Sequence, residues 1–523
     1  MHEVVTLQFG QQANYIGTHY WNTQESYFTY SGEEEFPVNH DISFRPGIGA
    51  DGAETYTPRT LIYDLKGAFG TLRRENALYQ LEQQEHPPSQ GPWSGSTIPL
   101  QLSPIPPSPY QQALDRGVDP PTLTTDTVRF WSDYNHIFYH PRSIVQLNEY
   151  ELNSSLMPFE QWQKGEELFA NLDREHDLLD RDLRPCLEEC DQLQGIQVLA
   201  GIDDAWGGFA SKYLERIGDE LGKGCRWVFG LQDAQRSARE RQALQLANVA
   251  QSILVIDPSA SMHIPLASTP SSLPPYVSLD GSSKWHTSAL AAAAMETVTL
   301  PTRLRGDQPS RATFDALEST LNGDGMRRIA ACTLSIKDPM SLEESSQPNG
   351  HSDSRMTNGH LHEDEYEDEE PDDNLAVDLF PQLVPSNTLI NRNRTPSRPH
   401  TFSKISSLRG PWKTTTQLQT AHTRLHDRFS ATDPRISLHQ SSLLFPNLSS
   451  YPTIFRFPSR PSKLAVDASL STSTAIAERV RGLEGFARRI VGVEDREALC
   501  DGLAALADEY EEGWMSGDES EDD

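Results

Sequence analysis

Val4-Val5-Thr6-Leu7-Gln8-Phe9-Gly10-Gln11-Gln12-Ala13-Asn14-Tyr15-Ile16-Gly17 is the stretch from which the fold is read. Val4–Phe9 is short, β-branched at its start and closed by a glycine, which is the pattern of a buried strand. A helical pattern follows without a gap. Ile16 and Tyr20 stand at i, i+4, with Trp21, Tyr27 and Phe28 beyond them. Strand, glycine, helix points the first amides of a helix at the space above the strand, an arrangement suited to phosphate.

The same grammar repeats outward. Thr60–Tyr63 reads as a strand followed by Asp64, and Ile196–Ala200 as a strand followed by a loop over Gly201–Gly208 and a helix over Phe209–Leu221. Trp227–Leu231 is the next strand, Gln235–Gln251 a helix and Ile253–Ile256 an apolar run. His286–Thr297 is a further helix and Arg328–Ile336 a further strand. Alternation of this kind predicts an α/β fold with a mostly parallel sheet. Phe36–Thr57 reads as loop, with turn signals at Pro46-Gly47 and Asp51-Gly52; Leu72–Leu81 and the polar stretch Pro158–Gln192 read as helical, and Val128–Leu147 as ordered and aromatic-rich. Near the end, Ile476, Val480, Leu483, Ala487 and Ile490, then Leu499, Leu503, Leu506 and Tyr510, have the spacing of two amphipathic helices.

Two domains follow from this walk: residues 1–260, and residues 261–515 with the terminal helices. The Pro, Ser and Gln-rich stretch 82–122 is expected to be a disordered insertion, as is the polar then acidic stretch 341–375. Residues 516–523 are an acidic tail. Phe380–Pro461 gives no decisive pattern.

The net charge of −31 is concentrated. Glu363–Asp373 holds nine carboxylates and Asp508–Asp523 nine more, so the rest carries about −13. With no dense basic stretch, direct nucleic-acid binding is not expected. Five scattered cysteines argue against a disulfide scaffold. Cys186 and Cys190 share a helical spacing but lack a second pair of zinc ligands, so no metal is expected. No apolar run reaches the length of a membrane span, the longest being Ala289–Met295. The N-terminus has neither a presequence nor a secretory composition, which favours the outer, cytosolic face of any organelle the protein meets.

The residues also carry a family signal. Gly10, Gln11, Asn14, Ile16 and Gly17, with Trp21, resemble the first nucleotide loop of tubulin in register. Tyr56-Thr57-Pro58-Arg59 with Leu61-Ile62-Tyr63-Asp64-Leu65 resembles a second tubulin segment, and Leu193-Gln194-Gly195-Ile196 the strand before tubulin's glycine-rich loop. Phe130-Trp131-Ser132-Asp133-Tyr134, His140-Pro141-Arg142-Ser143-Ile144 and Asp203-Asp204-Ala205-Trp206-Gly207-Gly208 resemble the Misato family of tubulin-like proteins, in its fungal form. The resemblance implies a tubulin-like fold: a Rossmann-type parallel-sheet domain, then a smaller α+β domain and C-terminal helices. It also implies a role in mitochondrial distribution, morphology and inheritance of the organelle and its DNA, at the mitochondrion and in the cytoplasm.

On that resemblance Gly10, Gln11, Asn14, Asp64, Gly201, Gly207 and Gly208 are the residues left for nucleotide binding. Lys66 stands where tubulin has an acid and is read as a solvated charge. The phosphate loop departs most: Ile202-Asp203-Asp204-Ala205-Trp206 replaces small residues with two carboxylates and an indole. Anions repel phosphate by about 1 kcal/mol per pair at 4 Å in water, and more when partly buried. Asp203 and Asp204 could hold a divalent ion or cap the following helix, and are read as helix-capping residues. Asp315 and Glu318 have the spacing of tubulin's catalytic acid pair, in poorly matching surroundings, and are read as a solvated helix face. There is no Walker lysine motif, no Gly-x-Ser-x-Gly and no His-Glu-x-x-His. The sequence therefore predicts a non-enzymatic protein with no catalytic residue and no required cofactor; residual GTP binding stays open, against the plainer reading that Gly10 and Gly17 serve turn and packing. Tubulin, a cytosolic chaperonin or a mitochondrial outer-surface protein are the expected partners. The alternative is a GTP-binding, polymer-forming cytoskeletal protein.

Overall fold

A computed structural model describes residues 2–29, 36–48, 54–72, 105–222, 224–233, 238–344, 376–382, 399–412, 434–490 and 493–511. The first sheet is built from β1 (Glu3–Phe9), β4 (Thr60–Lys66), β5 (Ile144–Glu151), β6 (Leu193–Gly201), β7 (Arg226–Gln232) and β8 (Met262–Ala267). Their order is β5-β4-β1-β6-β7-β8, every pair parallel. All seven residues of β1 are buried, as befits a central strand covered on both faces. The chain builds outward from β1 to β4 and β5, then crosses to β6 on the other side. β1 and β6 therefore flank the point where strand order reverses, and ligands of open α/β sheets bind beyond the C-terminal ends of such strands.

The second sheet is mixed. Its order is β10 (Val377–Asp378), β9 (Ala331–Lys337), β14 (Lys463–Ser473), β11 (Thr401–Arg409) and β12 (Arg435–Ser441), with β13 (Phe445–Pro446) paired to β14. Helix Lys284–Thr299 packs against helix Gln11–Glu25 on one side and against β9, β11 and β14 on the other. The alanine run within it is buried all round, as in a core helix. Small side chains let the two halves of the molecule approach through it, and one apolar cluster runs from Val4 and Trp21 to Leu464 and Leu470.

A charged group is buried at this junction. Glu296 accepts hydrogen bonds from Gln24 Nε2 at 3.2 Å and Tyr27 OH at 3.0 Å. Arg303 Nη2 lies 3.2 Å from Glu296 Oε1, and Arg409 of β11 pairs with the other carboxylate oxygen. Arg409 also donates to Tyr27 OH at 2.8 Å. Glu296, Arg303 and Arg409 are each buried.

Several local expectations need correction. The helix expected from Phe209 begins at Ala205 and runs to Leu221, so the loop after β6 is only residues 202–204. Gly207 and Gly208 are packing positions within that helix. A Cβ at Gly208 would lie 2.0 Å from the Trp162 carbonyl oxygen of helix Trp162–His176, and one at Gly207 would lie 2.2 Å from Ser252 Oγ. Phe36–Thr57 is not all loop: β2 (Phe44–Ile48) and β3 (Glu54–Pro58) form an antiparallel hairpin. Part of the insertion 82–122 is ordered. Ser108 caps helix Pro109–Asp115, whose Tyr110 is buried and meets His136 Nε2 at 2.8 Å. The apolar run Ile253–Ile256 belongs to helix Arg239–Ser259, and the strand expected over Arg328–Ile336 begins at Ala331. The two terminal helices are Thr474–Ile490 and Val493–Glu509. Most of Leu72–Leu81, most of the acidic insertion and the acidic tail lie outside the described residues. Among the described residues no helix is long and apolar enough to cross a membrane.

Candidate functional site

A cavity of about 200 Å³ lies at the C-terminal ends of β1 and β6, as the sheet order requires. Gly10, Gln11 and Gly201 line it. Asn14, Asp64, Gly207 and Gly208 do not. Gly10 follows β1 with φ +86°, a backbone open to glycine, and its N–H donates to the Tyr63 carbonyl at 3.0 Å.

Asp64, at the end of β4, is fully buried. Its carboxylate accepts hydrogen bonds from Gln11 Nε2 at 2.7 Å, Asn14 Nδ2 at 2.6 Å and the Leu65 amide at 2.9 Å. Gln11 Nε2 also donates to the Ala68 carbonyl at 3.1 Å. The two side chains that would reach toward a nucleotide are thus turned onto a carboxylate beneath it. Burial raises the Asp64 pKa to about 7, against the lowering effect of those bonds. Lys66, one residue past Leu65, is exposed, as its reading as a solvated charge requires.

Trp206 closes the cavity from the β6 side. Its indole is buried against Phe159 and Phe209, with ring centroids 5.3 and 5.6 Å away. A Cβ placed on Gly10 would lie 2.5 Å from the indole, so the close approach that glycine permits is used by this ring. Asp204 accepts from the Trp206 amide at 2.8 Å and caps the helix, as its type and position imply. Asp203 does not cap. It accepts from the Asp233 amide at 2.8 Å and from Gln245 Nε2 at 3.4 Å, tying the end of β6 to the loop after β7. Burial, then the neighbouring Asp204, raises the Asp203 pKa to about 8; burial raises that of Asp204 to about 6.

The remaining lining was not read from the sequence. Glu151, Glu160 and Asp233 add three carboxylates, while Arg241 and Lys284 supply cations. These residues come from strand ends and helix starts far apart in the chain, and no spacing rule links them. Lys284 is the first residue of the alanine-rich helix, whose apolar character draws attention away from it.

Asp315 and Glu318 lie at the opposite end of the sheet. The amide of Phe314 bonds Gln194 Oε1 at 3.0 Å, beside the start of β6, while Gly201 at its end borders the cavity. Asp315 is exposed and Glu318 half-buried, next to Cys225, whose thiol is pushed up to about 12 by burial and then by this acid. Cys186 and Cys190 donate to carbonyls of their own turn, at 3.7 Å to Asp182 and 3.3 Å to Cys186.

Residues 2–116 match the Misato Segment II tubulin-like domain and residues 120–304 match the Tubulin domain. Protein DML1 of Phaeosphaeria nodorum is 46% identical over the full length of both chains. Protein dml-1 of Neurospora crassa is 47% identical, again over the whole of each. Protein dml1 of Schizosaccharomyces pombe is 33% identical over 66% of this chain and 74% of its own.

Proposed function

The chain belongs to the Misato family of tubulin-like proteins, and from that premise we propose that it acts in mitochondrial distribution, morphology and inheritance as a non-enzymatic, tubulin-shaped adaptor or tubulin-assembly factor. Its working surfaces face tubulin, a cytosolic chaperonin or a protein on the mitochondrial outer surface, from the cytosolic side. The observation that carries the non-enzymatic reading is the inward turn of Gln11 and Asn14 onto buried Asp64. The amides that a guanine nucleotide would need are already paired, and freeing them strands a buried carboxyl, at a cost of about 1–3 kcal/mol.

Two further features support it. The cavity of about 200 Å³ is smaller than the roughly 300–1,000 Å³ typical of small-molecule sites. Its carboxylates also oppose a triphosphate, while Trp206 occupies the glycine-lined wall. The residues present do not fit GTP with Mg²⁺, and no hydrolytic step is assigned to them.

The test is rescue. Cells depleted of the chain are imaged for mitochondrial distribution while expressing wild type or Gln11→Ala at matched abundance. Disturbed mitochondria on depletion, restored equally by both proteins, is the expected result. Normal mitochondria after depletion would sink the organelle role. Failure of Gln11→Ala alone would sink the nucleotide-independent mechanism.

A further inference from the structure

A second cavity, of about 770 Å³, lies on the second domain between β13 and β14. Its wall is apolar: Pro452, Phe455, Phe457, Pro461 and Leu464. Phe457 stacks on Tyr276 at 5.6 Å and Phe455 on Tyr451 at 6.1 Å, so the rings are held from behind. Arg456 and Arg460 also line it, and Lys463 begins the adjoining strand. All three cations are exposed, and no carboxylate partner is found for them among the described residues. Several other arginines of this acidic chain are matched, among them Arg45 to Glu189, Arg216 to Asp173 and Glu220, and Arg481 to Asp508 and Glu511.

The path of the chain says what can reach this groove. β9 ends at Lys337, paired with Ala465, the residue after Leu464. Asp338 then accepts a hydrogen bond from Ser459, and helix Pro339–Glu344 packs on β14. The chain re-enters the sheet at β10, antiparallel to β9, with Val377 opposite Leu334 and Asp378 opposite Thr333. Ala376 therefore enters β10 from the side of β9 that leads to Lys337, the end where Leu464 lies. Leu334 and Lys337 are about 10 Å apart along the strand. Helix Pro339–Glu344 thus leaves the sheet against β14, and Ala376 returns to it two strands from β14.

That stretch contains Glu363–Asp373, with nine carboxylates, Tyr366 and Pro371. Asp373 stands three residues before Ala376, a reach of at most about 10 Å. We propose that the groove of Phe455, Phe457, Arg456 and Arg460 is a docking site for an acidic segment, and that its occupant is this chain's own Glu363–Asp373. Carboxylates meet the three unmatched cations while Tyr366 and Pro371 cover the apolar wall. Tethering supplies a local concentration of about millimolar, enough to hold a contact that is weak between separate molecules.

The experiment uses the full chain and a fluorescent peptide of residues 363–373, with binding followed by anisotropy at low and physiological salt. Three proteins are compared: wild type, a variant with the nine carboxylates changed to their amides, and that variant with Arg456→Gln and Arg460→Gln. The peptide should bind the amide variant, bind wild type at least about tenfold more weakly because the groove is filled, and lose binding to the groove variant. Both arginines are exposed, so folding is preserved, and thermal unfolding checks this. Equal binding to wild type and amide variant, or no binding to the amide variant, would overturn the proposal. So would unchanged binding to the groove variant, or equally tight binding of a peptide of residues 508–523, which would make the groove indifferent to its occupant.

Discussion

Two buried acidic centres in this molecule are handled in opposite ways. At the junction of the domains, Glu296 meets two guanidinium groups, a phenol and an amide. At the ends of β4 and β6, Asp64 and Asp203 meet only amides, and Asp204, half-buried, meets a backbone N–H. Full charge pairing ties the first centre into one piece across three elements. The second is left with carboxyls that burial drives toward their protonated forms. The junction is therefore a structural fastening, while the acids at the strand ends are held by internal hydrogen bonds alone.

The largest expected effect breaks the first centre. Arg409→Met leaves Glu296 without one of its cations while keeping the aliphatic bulk. Removing one partner of a buried pair costs about 3–5 kcal/mol. Urea unfolding of the variant should show this loss; a loss under 1 kcal/mol would mean the junction is not fastened by charge.

The second centre should respond to pH. Asp203 binds its proton more tightly folded, with a pKa near 8, than unfolded, near 4. Between those values the folded state carries the extra proton. Its contribution is therefore fully present at acid pH and is lost as pH rises through about 8. Asp64 and Asp204 act in the same direction, ending near 7 and 6. Asp203→Asn keeps the acceptor for the Asp233 amide and removes the titration. It should gain about 1–3 kcal/mol relative to wild type at pH 8 and little at pH 5. Denaturant midpoints across that range would decide it, and an identical pH profile in both proteins would count against the assignment.

Removing one donor to Asp64 gives a change of similar size and opposite sign. Asn14→Ala deletes a 2.6 Å hydrogen bond in a buried site and should cost about 1–3 kcal/mol at pH 7, less at pH 5 where the carboxyl is protonated. A cost independent of pH would place its origin in packing. Smallest of all, Lys66→Ala should shift stability by no more than about 0.5 kcal/mol, since its side chain is exposed. A larger loss would show that this lysine serves the crevice after all.

The comparison also marks what the sequence could reveal. Strand, glycine and helix around Gly10 were legible because a buried parallel strand and a glycine turn leave local signatures. So was the misfit of Asp203, Asp204 and Trp206 in the segment that follows β6. The helix start at Ala205 is not legible because Gly207 and Gly208 read as loop glycines, whereas close approach of helix Trp162–His176 requires Gly208 and that of Ser252 requires Gly207. Ser108-Pro109 carried a helix-start signal, hidden by the proline-rich composition around it. Glu296, Arg303 and Arg409 could not be paired from sequence, because Arg409 arrives from a strand 113 residues past Glu296 and only the tertiary fold brings it there. Lys284 and Arg241 at the cavity were hidden for the same reason.

The most direct test of a nucleotide crevice turned inward is what the protein carries and what it takes up. The chain is purified without denaturation, any bound ligand is released and separated by chromatography, and GTP with Mg²⁺ is then titrated calorimetrically. The account predicts no co-purifying guanine nucleotide and no binding heat. Guanine nucleotide at near one per chain, or micromolar affinity for GTP, would contradict it: Gln11 and Asn14 would have to leave Asp64, and Trp206 would have to leave Gly10.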